Sequence, residues 1–222
     1  FNDVIASNVQ PKGYGEARTV SVPGVAPCFL APPTISLDPL TNFTTWDSKS
    51  SGTDVVITNN YLTAKSIGAH MAASWKYRNP ATAGSYQFEV LAGPRVSAYS
   101  PYAALVGVVN KFANRFYFPG YDANGYSYYL YNGAYFNNSS SSAMGATAAQ
   151  GDYIGIVLST GGQLKFYKNG VLLGTRTIPT TQPLCPAWGG GSAGATTEEH
   201  TCTLNVGQAA FAYPIAGASP WQ

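Results

Sequence analysis

Gly151-Asp152-Tyr153-Ile154-Gly155-Ile156-Val157-Leu158, followed by Gly162-Gln163-Leu164-Lys165-Phe166-Tyr167-Lys168-Asn169-Gly170-Val171-Leu172-Leu173-Gly174, is the stretch on which the fold turns. Three runs rich in β-branched and aromatic residues are divided by Gly161-Gly162 and by Asn169-Gly170. Asn-Gly is the dipeptide that a two-residue type I′ turn asks for, because both central residues take positive φ. Alternation sets Leu164 and Phe166 on one face and Lys165 and Tyr167 on the other. The stretch reads as a three-stranded antiparallel meander whose apolar side must close against a second layer.

Outward from this meander the same character recurs. Strands are expected at Asp54–Ile57, Tyr61–Ala64, Ser85–Leu91, Ala103–Val109, Tyr126–Tyr131, Cys185–Trp188 and Thr201–Val206, at the spacing of an all-β sandwich. A second hairpin is expected where Asn132-Gly133 turns Tyr128–Tyr131 back into Ala134–Phe136. Helical periodicity is missing, and Met144–Ala149 is expected to supply a single helical turn. Residues 1–34 differ: Pro11, Pro23, Pro27, Pro32 and Pro33 punctuate them, which predicts an extended arm or linker with a short strand near Arg18–Val22. The domain proper is expected over 35–222.

Only 10% of the residues are charged, and 12 basic residues face 10 acidic ones without clustering in sequence. No Lys/Arg run marks a nucleic-acid surface. No apolar run approaches the roughly 20 residues of a membrane span, so neither nucleic acid nor membrane insertion is expected. Cys28, Cys185 and Cys202 are too few and scattered for a disulfide framework. They are expected as buried free thiols, with a Cys185–Cys202 bridge across the sandwich left open.

The meander resembles the core signature of the SPRY (B30.2-like) domain family, whose pattern there runs GD-x-IGV-x-L, then G-x-L-x-F-x-x-NG-x-x-LG. Gly84-Ser85-Tyr86-Gln87-Phe88-Glu89-Val90, Leu105-Val106-Gly107-Val108-Val109, Tyr126–Asn137, Leu184-Cys185-Pro186-Ala187 and Leu204–Phe211 resemble the flanking family segments in the family's order. Val206 stands where the family often has Phe, and Ala210 where it often has Pro. The resemblance covers Leu37 to Phe211. It implies two antiparallel sheets packed as a concanavalin-like jelly-roll sandwich, and it implies no catalytic residues.

Residue chemistry points the same way. Glu89 has Gln87 and Leu91 as same-face neighbours, so no paired carboxylate stands beside it for glycoside cleavage. It is expected to be hydrogen-bonded at a sheet edge. Asp152 at a strand entrance is expected to bond backbone in an Asx turn. Glu198, His200 and Cys202 alternate along one strand in a pattern that a metal would accept, but Leu204 and Val206 continue that face into the core. Gly189–Gly194 precedes no helix and lacks the Lys of a phosphate-cradling loop, and it is expected as a surface loop. A non-enzymatic protein with no cofactor and no metal is therefore expected.

The remaining signal is aromatic. Tyr offers a large contact area with a polar tip and few rotors to freeze. Loop aromatics Trp46, Trp75, Tyr77, Tyr99, Tyr102, Tyr117 and Tyr121 are the candidate ligand-binding residues. Tyr126 and Tyr128 are expected to pack in the core, while Tyr129 and Tyr131 line a sheet face. The Tyr/Gly/Ser/Asn-rich, weakly charged composition resembles phage tail-fibre and virion-surface proteins. The expected role is a virion-surface recognition protein that binds a host receptor, glycan or protein. Its arm would contact other virion proteins, and it would assemble as a homo-oligomer, with a trimer in view. The alternatives are a peptide-binding SPRY adaptor, a capsid-decoration protein and, from another class, a glycan-cleaving enzyme.

Overall fold

The computed structural model describes residues 44–49, 51–80, 82, 84–96, 103–190 and 198–222, together with the backbone of 19–20 and 28–29. The chain divides into two compact units, Phe1–Thr41 and Asn42–Gln222. In the first, β1 (Thr19–Val20) pairs antiparallel with β2 (Cys28–Phe29), so a short strand falls where one is expected. The rest of the Pro-rich arm lies outside the described residues.

The second unit is all-β among the described residues. Its strands are β3 (Val55–Thr58), β4 (Thr63–Ile67), β5 (Met71–Ala73), β6 (Ser85–Val96), β7 (Ala104–Val109), β8 (Gly125–Tyr129), β9 (Ala134–Asn137), β10 (Ser140–Ala143), β11 (Tyr153–Ser159), β12 (Gln163–Lys168), β13 (Val171–Thr177), β14 (Cys185–Gly190), β15 (Glu199–Asn205) and β16 (Ser219–Pro220). One sheet runs β13-β12-β11-β6-β15-β4-β3, and the other runs β10-β9-β8-β7-β14-β5. Pairing is antiparallel throughout the second unit except where β16 lies parallel to the start of β6. β6 holds β11 along one edge over Ser85–Leu91 and β15 along the other over Glu89–Val96, so β16 completes the second edge at Tyr86 and Gln87.

The decisive meander folds as read. β11 pairs β12 and β12 pairs β13, and Asn169 (φ 47°) and Gly170 (φ 80°) form the turn with both residues left-handed. Ile154, Ile156, Leu158, Leu164 and Phe166 face inward and are buried. Val106, Val108, Tyr126, Tyr128 and Trp188 meet them from the other sheet in one core cluster. Burying side chains of this size stabilises by about 1.5–3 kcal/mol each before chain entropy is counted. Gly107 sits between β14 and β8, where a Cβ would strike the Tyr126 carbonyl oxygen and come within 2.6 Å of Ser127 Cα. The close approach of β8 therefore needs glycine there.

After β15 the chain crosses the outer face of the larger sheet. Glu89 Oε2 and Oε1 accept the backbone N–H groups of Ala212 and Tyr213 at 2.9 and 2.8 Å. Gln87 Oε1 accepts Ile215 N–H at 2.8 Å, and its Nε2 donates to Tyr213 O at 2.9 Å. Trp221 then enters the core, fully buried, edge-on to Phe88 at 5.3 Å. Glu89 is thus a structural carboxylate, as expected, but it stands on a central strand and not at a sheet edge. Its polarity suits a buried strand position because two backbone donors of the returning tail need acceptors.

Other expectations shift for physical reasons. The second hairpin turns over Leu130–Gly133, because Tyr129 pairs with Ala134 and Leu130 drops into the core. Asn132 caps that loop by accepting Ala134 N–H at 3.1 Å. Met144–Ala149 makes no helical turn; its backbone bonds go across to Gly133 and Leu130. Gly189 and Gly190 are buried strand residues and not loop, since β14 continues between β7 and β5. The strand sought at Tyr61–Ala64 lies later, at β4. β5 and β10 carry too little β-branched or aromatic character to be seen in sequence.

Candidate recognition surface

The outer face of the smaller sheet is covered by one long connection, Asn110 to Asn124. Ala113 packs beside Met71, Ala73, Val109, Cys185 and Ala187, with Tyr77 against them. Farther along, Phe118 packs on Ala69 and Leu105, with Tyr121, Tyr129 and Phe136 around it. The loop therefore lies on the sheet and is held by it.

Its own sequence gives it a fixed shape. Asn110-Lys111-Phe112 and Asn114-Arg115-Phe116 repeat one pattern, Asn-cation-Phe. Asn110 Oδ1 accepts Phe112 N–H at 2.8 Å, and Asn114 Oδ1 accepts Phe116 N–H at 3.0 Å. These are Asx turns, in which the side chain mimics a backbone turn. Asp122 adds a third, accepting Asn124 N–H at 2.8 Å, and its other oxygen accepts Asn114 N–H at 2.8 Å. Asn110 and Asn124 close the base through side chains at 3.0 Å and backbone at 2.9 Å. Arg115 turns inward, donating to Asn110 O at 3.2 Å and approaching Met71 Sδ at 3.5 Å. The β9–β10 turn supports the far side, where Ser139 Oγ donates to Tyr121 O at 2.6 Å.

The turns send Phe112 and Phe116 outward. They are 61% and 55% exposed, although both are among the most apolar residues of the chain. Phe116 meets the edge of His70, whose Nδ1 accepts Asp54 N–H at 3.0 Å. Tyr117 and Tyr121 stack face to face at 3.8 Å and 6°. The phenol of Tyr121 is held above its ordinary range because Tyr117 lies so near.

Trp75 joins this surface through a bulge. Ser74 N–H bonds Pro186 O and Arg78 N–H bonds Leu184 O, so three residues, Trp75 to Tyr77, stand opposite Cys185 alone. Extra residues in one strand re-aim its side chains. Trp75 is consequently 43% exposed, while Tyr77 folds back over Cys185. Because Cys185 pairs with Val109 and Asn110 follows Val109, Trp75 and Phe112 leave the sheet at the same end.

Of the sequence candidates, Trp75, Tyr77, Tyr117 and Tyr121 thus belong to one surface. Trp46 does not. It is 1% exposed, its Nε1 donates to Leu62 O at 3.0 Å, and it forms part of the central core, because its bridge to Ser74 draws the ring inward. Tyr99 and Tyr102 lie outside the described residues. Phe112 and Phe116 are not among the sequence candidates, although the Asn-cation-Phe repeat that carries them is visible in the sequence. Tyr126 and Tyr128 pack in the core as expected, and Tyr129 lines the outer face.

The groups with catalytic potential are committed elsewhere. Asp152 Oδ2 accepts a backbone N–H as expected, at 2.8 Å, but the donor is Ala149, three residues back, so the bond is not an Asx turn; Asn169 and Lys168 also lie on the carboxylate. Among the described residues no three His, Cys, Asp or Glu side chains gather as a metal site, and Cys202 of the Glu198–His200–Cys202 pattern points into the core. No helix among the described residues is long and apolar enough to cross a membrane.

Cys185 and Cys202 are free and buried in different clusters, so they do not pair. Burial pushes the Cys185 thiol up to about 11 despite nearby Arg115, and it pushes Cys202 up as well. In a Cys28→Ser variant, Ellman's reagent at pH 8 is expected to label neither thiol in the native protein and both in urea. Rapid native labelling would show that the Asn110–Asn124 cover opens freely.

The family model described as the SPRY domain matches residues 85–208. No curated protein sequence matches. Among solved structures, the SPRY domain of human HERC1 is similar at 16% identity and a TM-score of 0.58, covering 72% of this chain and 96% of that one. A human SPRY domain aligns at 20% identity and a TM-score of 0.55, over 71% of this chain and 98% of that one. The TRIM65 PSpry domain gives 17% and 0.57, over 73% and 91% respectively. At these identities the structures speak for the fold, and the matched family model decides membership. The chain belongs to the SPRY domain family.

Proposed function

We propose that this chain is a non-catalytic protein-recognition module that takes a peptide segment of its partner on the surface built by Trp75, Tyr77 and the Asn110–Asn124 loop. SPRY domains are generally protein-binding modules and typically non-catalytic. The observation that carries the reading is the pair of outward phenylalanines on rigid Asx turns. Exposed rings on an ordered backbone leave only side-chain freedom to be lost when a partner covers them, so more of their burial goes into affinity. Large aromatics on an ordered base are the residue class that dominates binding energy at interfaces. The virion-surface setting, with a host receptor as partner and the arm on other virion proteins, rests on composition alone, and the comparisons add no support to it.

Wild type and a Trp75→Ala/Phe112→Ala variant are to be presented to a phage-displayed library of 12-residue peptides and to an immobilised glycan array. Peptides enriched on wild type are expected to bind the variant at least tenfold more weakly, roughly 1.4 kcal/mol or more. Variant melting should change little, because both side chains are exposed. Peptide binding that ignores both substitutions would defeat the reading. Saturable glycan binding lost in the variant would replace it with glycan recognition.

A further inference from the structure

The recognition surface carries its own charge pattern, and the sequence hides it. Lys76 Nζ lies over the Trp75 ring at 5.6 Å from its centroid, and Lys111 Nζ lies over Phe112 at 4.9 Å. The two cation–ring pairs stand at one end of the smaller sheet, brought together by the bulge opposite Cys185 and by the loop that follows Val109. Elsewhere two of the described acids are taken up in ion pairs, Glu199 with Lys65 at 2.9 Å and Asp152 with Lys168 at 3.1 Å. Glu89 and Asp122 each hold two backbone N–H groups. Among the described residues, Lys76 and Lys111 take part in no ion pair with a carboxylate.

Resting on the proposed peptide-binding reading, we infer that the partner segment is acidic, with apolar or aromatic side chains between its carboxylates. The geometry asks for that alternation. A ring or aliphatic chain of the partner covers Trp75 or Phe112 only if each ammonium swings aside, and a carboxylate beside the covering group receives it. A neutral apolar peptide would leave the two ammonium groups at the rim of a drying contact, and a basic one would repel them. Asp122 keeps its negative charge, but the N–H groups of Asn114 and Asn124 hold its carboxylate inside the loop, away from the two ammonium groups on Lys76 and Lys111 that the partner would meet first.

The peptides enriched from the 12-residue library, made synthetically with a fluorescein label, provide the test. They are expected to be rich in Asp and Glu flanking Leu, Phe or Trp. Fluorescence anisotropy should show Lys76→Glu/Lys111→Glu weakening the best of them about tenfold or more at 50 mM salt. The gap between wild type and variant should shrink at 500 mM, where exposed charges are screened. Lys76→Gln/Lys111→Gln should fall between the two. Neutral or basic consensus peptides that still need Trp75 and Phe112 would overturn the charge inference and leave the aromatic surface standing. Peptides insensitive to both pairs of substitutions would overturn both. Failure to enrich any peptide would also overturn the inference.

Discussion

Replacing Trp221 by alanine is expected to lower the unfolding free energy by about 3–5 kcal/mol, the largest single effect foreseen for this domain. The indole is fully buried, edge-on to Phe88 at 5.3 Å and to Tyr86 at 6.4 Å. Its Nε1 donates to Lys76 O at 3.1 Å, its backbone N–H to Gln87 O at 2.9 Å, and its carbonyl accepts Thr44 Oγ1 at 3.0 Å. Alanine leaves a cavity and an orphaned carbonyl at Lys76, both costly in a packed interior. Urea unfolding followed by circular dichroism gives the number. Trp221→Phe should recover most of the packing and lose only the N–H bond, about 1 kcal/mol. A loss under 1 kcal/mol for the alanine variant would mean that the returning tail is dispensable.

The second large effect is a loss of stability in mild acid that traces to one side chain. His200 is 1% exposed, and burial, helped by the charge of Arg95, pushes it down to about 4 from 6.5. Above pH 6.5 the imidazole is neutral in native and unfolded chains alike, so it contributes no slope. Between 6.5 and 4 the unfolded chain takes up a proton that the native state refuses, and stability falls as pH falls. Integrated over that window the loss is about 3 kcal/mol. Asp152 acts lower. Burial alone would raise its carboxyl, but the bonds from Ala149, Asn169 and Lys168 outweigh burial and hold it below 3.8. Its contribution is therefore present above about pH 4 and lost only beneath that. Urea midpoints at pH 7.5, 6, 5 and 4.5 for wild type and His200→Gln separate the two groups. Equal slopes in both proteins between pH 6.5 and 4.5 would refute the assignment.

The meander was legible because its turn chemistry and its alternation agree. Asn169-Gly170 needs two left-handed residues, and only one alternation of Leu164 and Phe166 makes an inner face. What stayed hidden was set by long-range contact. Trp46 reads as a loop aromatic because its neighbours Asp47 and Ser48 are polar, and nothing local announces that the Leu62 carbonyl will accept its indole N–H. Glu89 was read correctly as structural but misplaced, since the tail that needs it follows more than a hundred residues later. The Asn-cation-Phe repeat was readable in principle. It is inconspicuous beside the neighbouring tyrosines, and phenylalanine is by default a core residue. Trp75 owes its exposure to a bulge that is visible only once Ser74 and Arg78 are seen to bracket Cys185.

The bond from Thr44 to the Trp221 carbonyl spans 177 residues of chain. The first and last parts of this unit therefore meet across the same core, which cannot be sealed until nearly all of the unit has found its place. Pairings of such separation make folding slow, on the millisecond-to-second scale, since loop closure must precede any reward from contact. During that interval the apolar inner faces of both sheets stand open, so refolding at high protein concentration should divert into aggregates that dilution prevents.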